Sequence, residues 1–126
     1  MNKQEMFFKA AELGHLEVVK YLIKDPRVDP SAQDNYAIEW AAERGHLETV
    51  RLLLNDPRVD PSAADNYPIK VAAYYGHLEI VRLLLNDPRV DPSARDNEAL
   101  RWAARGGHLG VVELLKTEIA KRSKGE

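Results

Sequence analysis

The chain contains Gly45-His46-Leu47-Glu48-Thr49-Val50-Arg51-Leu52-Leu53-Leu54-Asn55-Asp56-Pro57-Arg58-Val59-Asp60-Pro61-Ser62-Ala63, and this stretch decides the fold because it occurs twice. The second copy spans residues 76–94 and differs only in carrying Ile80 in place of Thr49. Four histidines keep the same register, each after a glycine, before a leucine and 31 residues from the next: His15, His46, His77 and His108. Such a period is typical of a repeat protein whose units bury their apolar faces against one another.

The repeat register divides the chain into four units, residues 3–33, 34–64, 65–95 and 96–126, within one domain spanning 1–126. A chain with 44% hydrophobic and 30% charged residues has an ordinary composition for one soluble domain. No segment has the length and apolar character needed to cross a membrane, and the first residues lack the layout of a signal peptide. We therefore expect a monomer in the cytoplasm or elsewhere inside the cell, without membrane association.

Composition and motifs also narrow the function classes. The chain has no cysteine, which excludes a disulfide framework and thiolate metal sites. Its net charge of -2 argues against a general binder of nucleic acid. Ser31, Ser62 and Ser93 have no histidine at local spacing, and no glycine-rich phosphate loop is present. We therefore expect no enzymatic activity, no cofactor and no metal.

The second unit predicts a short first helix. Ile38 and Ala41 recur at helical spacing, and Asp34 and Asn35 offer side-chain acceptors for the free N–H groups at its start. Gly45 is expected to end this helix in a left-handed conformation. Small alanines recur at the same place in each unit, so we expect successive first helices to pack closely.

A second helix follows the glycine turn. Leu47, Val50 and Leu53 form a broad apolar stripe on it. A residue that precedes proline is disfavoured in the helical region, so Asp56-Pro57 predicts that this helix ends near Asn55. The residues that follow are expected to form an extended connector to the next unit.

The fourth unit lacks the connector prolines, which are replaced by Ile119 and Ser123. Without a proline to stop it, the last helix is expected to run past Thr117 toward Lys121. We expect it to cap the stack, with basic residues such as Arg122 placed favourably for the helix dipole.

A helix, a Gly-His-Leu-Glu turn, a second helix ending in Leu-Leu and a connector together resemble the ankyrin repeat over the whole chain. The strongest matches are Gly45-His46-Leu47-Glu48, Leu52-Leu53-Leu54 and Ala41-Ala42. The family's Thr-Pro-Leu-His opening is degraded to Tyr36-Ala37-Ile38-Glu39, and the period is 31 residues instead of about 33, so a short hairpin finger is expected. The resemblance implies an all-α solenoid of four helix-turn-helix units with extended connectors. It also implies binding of a protein partner, without catalysis, through the concave face of first helices and connectors.

The second and third units differ mainly on one surface. Most of their differences lie in the first helix, on the side opposite its apolar face, whereas outward positions of the second helix such as Glu48 and Arg51 are identical in the two copies. This pattern favours a recognition surface over neutral drift, which would scatter changes more evenly. The candidate contact residues are Phe8, Glu12, Leu13, Glu39, Trp40, Glu43, Arg44, Lys70, Tyr74, Tyr75, Arg95, Arg101, Trp102 and Arg105.

Several of these residues have a second interpretation. Trp40 and Trp102 are either binding anchors or, with Val71 between them, large-small-large packing between adjacent first helices. Phe8 and Leu13 either contact a partner or belong to the packing of an N-terminal cap. The histidines are spaced about one unit apart, too far to share a metal ion, so we expect them to bind backbone at the turns.

Three function classes follow. A protein-interaction module is favoured. The alternative is an engineered or structural repeat scaffold with no natural ligand, which the near-identity of two units also fits. A nucleic-acid binder ranks third.

Overall fold

The computed structural model describes residues 1–125 and, within them, contains eight helices in four successive pairs. They are α1 (Lys3–Leu13), α2 (Leu16–Leu22), α3 (Ala32–Arg44), α4 (Leu47–Leu54), α5 (Ala63–Tyr74), α6 (Leu78–Leu85), α7 (Ala94–Arg105) and α8 (Leu109–Lys124). The first helices α1, α3, α5 and α7 pack side by side, and the second helices α2, α4, α6 and α8 form a second layer. The predicted all-α stack of helix pairs is confirmed.

The core lies between the two layers and between neighbouring pairs. Ala41 and Ala72 are fully buried, as expected for small residues that let first helices approach closely. Leu53 and Leu84 of the second helices are also fully buried. Ala104, in the last pair, is exposed.

Glycine ends the first helices as predicted. Gly45, Gly76 and Gly107 have φ angles of 80°, 74° and 75°, in the left-handed region that favours glycine. At Gly76 the backbone N–H donates to the carbonyl of Ala73, and the following N–H donates to the carbonyl of Ala72. This Schellman motif satisfies carbonyl groups that the helix end would otherwise leave free.

The histidine after each of two of these glycines contacts the preceding unit. His46 Nε2 lies 2.8 Å from the carbonyl oxygen of Glu12, and His77 Nε2 lies 2.8 Å from that of Glu43. Because a carbonyl only accepts, both rings carry a proton on Nε2. A Cβ added at Gly45 would lie 2.7 Å from Cε1 of His77, so the ring also requires glycine there. The expected binding of backbone by these histidines is confirmed.

Helices α3, α5 and α7 begin differently from what the sequence predicts. Gln33, Asp34 and Asn35 all have positive φ, between 53° and 66°, so α3 opens with a left-handed turn before its right-handed part. The Asn35 Oδ1 atom does not cap this helix; it accepts the backbone N–H of Asp60 at 2.8 Å. The prediction of side-chain capping was therefore wrong for this helix.

The same hydrogen bond, from a connector N–H to a side-chain amide oxygen of a first helix, recurs along the stack. Asn66 Oδ1 accepts the N–H of Asp91 at 2.9 Å, and Gln4 Oε1 accepts that of Asp29 at 2.7 Å. Left-handed backbone costs about 1–2 kcal/mol for each residue other than glycine. The buried amide contact to the connector offsets part of that cost.

The connectors, expected to be extended, form two consecutive turns. In the second unit the N–H of Val59 donates to the carbonyl of Asp56 at 3.0 Å, and that of Ala63 donates to the carbonyl of Asp60 at 3.4 Å. Each turn begins with an aspartate followed by proline, and the aspartate side chain accepts the N–H two residues later. Asp-Pro at these positions is typical of a turn, which explains the difference.

Helix α8 confirms the predicted cap, since it continues to Lys124. Arg122 in this helix donates to the carbonyls of Val90 at 2.6 Å and Leu85 at 2.9 Å. In the third unit Arg89 makes the equivalent contact to the carbonyl of Val59 at 2.9 Å. The arginine of the capping helix therefore donates to a connector carbonyl, as a connector arginine does in the middle of the stack.

Within the described part of the chain, none of the helices combines the length and hydropathy required to span a membrane.

Candidate functional site

Aromatic rings line the exposed side of the first helices. Phe8 meets Tyr36 edge to face across α1 and α3, with ring centroids 5.2 Å apart. Tyr67 on α5 meets Trp102 on α7 in the same way at 6.2 Å. This side also carries Trp40, Tyr74 and Tyr75. Edge-to-face contact is a favoured arrangement of aromatic rings, so these pairs stabilise the packing along this side.

Two neighbouring clefts open on this surface. The first, which we call the acidic cleft, has a volume of about 240 Å³ and is lined by Tyr36, Glu39, Trp40, Glu43, Ala64 and Tyr67. The second, the tyrosine cleft, has a volume of about 270 Å³ and is lined by Glu43, Tyr67, Val71, Tyr74, Tyr75, Trp102 and Arg105. They share Glu43 and Tyr67, so one ligand segment can reach both.

Electrostatics distinguish the acidic cleft. Burial, with a smaller contribution from Asp34, raises the pKa of the Glu39 carboxyl from 4.5 to about 7. Burial, then the charges of Glu43 and Glu39, also raise the pKa of the Tyr67 hydroxyl. Both shifts arise chiefly from burial and secondarily from nearby acidic groups, so the ionised form of Glu39 is disfavoured when no cation is present in the cleft.

The tyrosine cleft is bordered by the most accessible rings of the surface. The side chains of Tyr74 and Tyr75 are 37% and 50% exposed. Their centroids lie 5.0 Å apart, and Tyr74 also meets Trp102 at 6.2 Å. Tyr75 stacks on His77, whose ring is itself held by the backbone of the preceding unit. One ring of the exposed pair therefore packs on a side chain that is hydrogen-bonded to the preceding unit.

Lys70 lies among the candidate contact residues but is buried, with 6% of its surface exposed. Its Nζ atom lies 2.6 Å from Glu98 Oε1 and 5.7 Å from the ring centroid of Trp102. These contacts hold the pKa of Glu98 below its usual value, chiefly through the hydrogen bond from Lys70. Lys70 therefore stabilises the junction between α5 and α7 and is not free to contact a partner directly.

The two tryptophans have different environments. Trp102 packs across to the preceding first helix, against Tyr67 and Tyr74, in keeping with lateral packing beside the buried Val71. Trp40 instead meets Tyr36 of its own helix, with ring centroids 5.6 Å apart. The guanidinium carbon of Arg44 lies over the Trp40 ring, 5.0 Å from its centroid. Both rings remain partly exposed, so packing and contact are compatible at each position.

The remaining predicted residues lie toward the ends of the surface. On the N-terminal side, Glu12 pairs with Arg44 at 3.3 Å, and Leu13 is 48% exposed. On the C-terminal side, Arg95, Arg101 and Arg105 are exposed. Arg95 pairs with Asp65 at 3.3 Å, and Arg101 donates to backbone carbonyls at the start of its own helix.

Tyr36 and Tyr67 were missing from the predicted set although they line the clefts. The signal was available, because Tyr36 precedes Trp40 by four residues and therefore shares its helix face. Tyr67 occupies the corresponding position one unit later.

In residues 1–125 no group of three or more histidine, aspartate or glutamate side chains is arranged to hold a metal ion. Comparison with curated proteins gave no significant match. The family model described as ankyrin repeats (3 copies) matches residues 2–65 and 38–124. These matches cover nearly the whole chain, and the stacked helix pairs are the architecture they require, so the chain belongs to the ankyrin-repeat family.

Proposed function

We propose that this chain binds a protein partner through the tyrosine cleft and the adjoining acidic cleft. Ankyrin repeats are generally protein–protein interaction modules, and no enzyme family is evident for this chain. The observation that carries the proposal is the exposed pair Tyr74 and Tyr75 beside a concave surface. Tyrosine and tryptophan in such positions carry a large share of binding free energy at protein interfaces.

Charge along the surface supports an orientation for the partner. Glu39 and Glu43 lie toward the N-terminal side of the tyrosine pair, whereas Arg101 and Arg105 lie toward the C-terminal side. A complementary partner presents basic groups to α3 and acidic groups to α7. Its apolar or aromatic anchor lies near Tyr74. Charges at the rim set the association rate and register more than the affinity.

The test uses immobilised protein to capture partners, which are identified by mass spectrometry and then measured individually. The double variant Tyr74→Ala, Tyr75→Ala is expected to weaken binding of a true partner by about 2 kcal/mol or more, because it removes the aromatic anchors. Tyr21→Ala is the matched control, since Tyr21 is 73% exposed but lies on α2, in the other layer. Circular dichroism of each variant checks that the helices are retained.

Loss of binding in the double variant together with retention in Tyr21→Ala supports the proposal. Equal affinity of the parent and the double variant contradicts it, and the outer positions Glu48 and Arg51 become the next surface to test. A structural scaffold without a ligand is the second candidate, favoured by the near-identity of residues 45–63 and 76–94. If the chain is a scaffold without a ligand, we expect the parent and the double variant to capture the same background proteins.

A further inference from the structure

The junction between α5 and α7 shows how this fold holds an ammonium group. Lys70 lies 2.6 Å from the carboxylate of Glu98, with its nitrogen 5.7 Å from the centroid of Trp102. A carboxylate and an aromatic face together replace the water that the buried ammonium has lost. The site is complete, because the chain supplies both the cation and its partners.

The preceding junction, between α3 and α5, has the reverse composition. Glu39 occupies the position equivalent to Lys70, and Tyr67 occupies the position equivalent to Glu98, both by the 31-residue period. A carboxylate therefore lies where the next junction places a cation. Among residues 1–125, the ion pairs within 4.0 Å do not include Glu39.

The one cation of α3 is already paired with other carboxylates. Arg44 lies 3.3 Å from Glu12 and 3.8 Å from Glu43, and its guanidinium carbon lies 5.0 Å from the centroid of the Trp40 ring. Glu43 is thus partly neutralised, whereas Glu39 is half-buried without a counter-charge. The other ionisable groups around Glu39 are Asp34, Tyr36 and Glu43 on its own helix and Tyr67 on α5. None of these is a cation, and Arg44, the one cation of α3, lies beside the cleft but is paired with Glu12 and Glu43.

The shape and lining of the acidic cleft fit a cation on an apolar stem. Tyr36, Trp40 and Tyr67 surround a space of about 240 Å³ that opens to solvent, with Glu39 in its wall. Aromatic faces attract ammonium groups, and the methylenes of a lysine side chain can lie along the rings while its charge reaches a carboxylate. An ammonium is also a compact charge with three N–H donors. A carboxylate and a tyrosine hydroxyl can accept hydrogen bonds from them.

We propose that the acidic cleft binds the ammonium group of a lysine side chain presented by the protein partner, an inference that rests on the proposed function. The bound ammonium pairs with Glu39 and lies against the rings of Trp40 and Tyr67. It neutralises Glu39 in the way that Lys70 neutralises Glu98 one unit later. Lysine binding here also places the partner chain beside the tyrosine cleft, because the two clefts share Tyr67 and Glu43.

The test uses Nα-acetyl-lysine amide as the probe and nuclear magnetic resonance as the readout. The chain has two tryptophans, so it gives two indole N–H signals, which Trp40→Phe assigns. At about pH 8, where Glu39 is ionised, millimolar probe is expected to shift the Trp40 signal saturably and to leave that of Trp102 in place. Nα-acetyl-norleucine amide, which has the same carbon stem without the ammonium, is expected to bind at least about tenfold more weakly.

Glu39→Gln is expected to weaken binding of the lysine probe by about tenfold, since it removes the charge but keeps the size of the side chain. Glu48→Gln is the matched control, because Glu48 is an exposed carboxylate on α4 paired with Arg51 at 3.3 Å. An unchanged Trp102 signal shows that each variant is folded.

Three results overturn the inference: no saturable shift of the Trp40 signal in the parent, equal affinity in Glu39→Gln, or equal binding of the norleucine probe. The capture experiment is independent of these. If the lysine probe fails while a captured partner still depends on Tyr74 and Tyr75, the lysine site is wrong and the proposed function stands. If the probe binds as expected but the partner ignores both tyrosines, the tyrosine cleft is wrong.

Discussion

Glu39→Gln is expected to stabilise the isolated protein at neutral and alkaline pH, although it removes a charge from the candidate site. The carboxylate of Glu39 is half-buried among aromatic rings, and Asp34 adds repulsion. Both raise its pKa from 4.5 to about 7, so the folded state resists its ionisation. Glutamine keeps the shape of the side chain and avoids the cost of a buried charge.

The size of the gain follows from the pKa. A rise from 4.5 to about 7 corresponds to roughly 3 kcal/mol if counted in full. The acidic cleft opens to solvent, which screens the charge, so we expect about 1 kcal/mol in practice. Such a gain is measurable against the total stability of a small domain, typically about 5–15 kcal/mol.

The gain must also depend on pH in a defined direction. Between about 4.5 and 7 the folded state binds more protons at Glu39 than the unfolded state does. The contribution of Glu39 to the free energy of unfolding therefore falls as pH rises through this window and is constant above it. Glu39→Gln is expected to be more stable than the parent at about pH 8, and the two are expected to converge at about pH 4.5.

Urea denaturation at 25 °C measures this difference, with parent and variant compared at each pH. The comparison is needed because other carboxyl groups titrate in the opposite sense. Hydrogen bonds from Arg58 and Arg89 lower the pKa values of Asp56 and Asp87, so their stabilisation is lost on acidification. These contributions cancel between parent and variant. A difference that stays the same from pH 4.5 to 8, or a variant less stable at pH 8, refutes the assignment of Glu39 as a half-buried acid without a counter-charge.

Two further stability predictions use the same assay. Leu53→Ala, at a fully buried position, is expected to cost about 2–5 kcal/mol, whereas Arg51→Ala, at an exposed one, is expected to cost less than about 1; equal costs would show that the buried face is misassigned. Asn66→Ala removes the acceptor 2.9 Å from the N–H of Asp91 and is expected to cost about 1–3 kcal/mol, against less than about 0.5 for the exposed Asn86→Ala. Faster hydrogen exchange at Asp91 in Asn66→Ala, but not in Asn86→Ala, would locate that loss at the connector.

Much of the fold follows from the sequence because its signals are local. The spacing of apolar residues, the glycine at each helix end and the loss of prolines before α8 each act within a few residues. The left-handed turn at residues 33–35 was not predictable in this way. It is maintained by Asn35 bonding to Asp60 in the connector, 25 residues later in the chain. Only the folded unit brings those two groups together.

The candidate site could likewise be predicted from the sequence only where the signal is local. Helix periodicity placed Trp40 and Tyr74 on one face, and both border a cleft. It could not show that Lys70 is closed off, because Glu98 lies 28 residues away and contacts it only when neighbouring first helices are stacked. Position on a face is a property of one helix, whereas accessibility depends on the side chain that the next unit presents.

The repeat period makes this dependence systematic. The same two repeat positions meet at each junction: a residue of one first helix and, from the next first helix, a residue about one turn earlier in the repeat. These two residues decide the chemistry of the junction. Lysine opposite glutamate gives the closed pair of Lys70 and Glu98, while glutamate opposite tyrosine leaves Glu39 in an open cleft. The glycine turns and buried leucines are nearly identical at the two junctions. Substitution at the junction positions can therefore turn a stabilising contact into a binding site while the residues that build the stack stay unchanged.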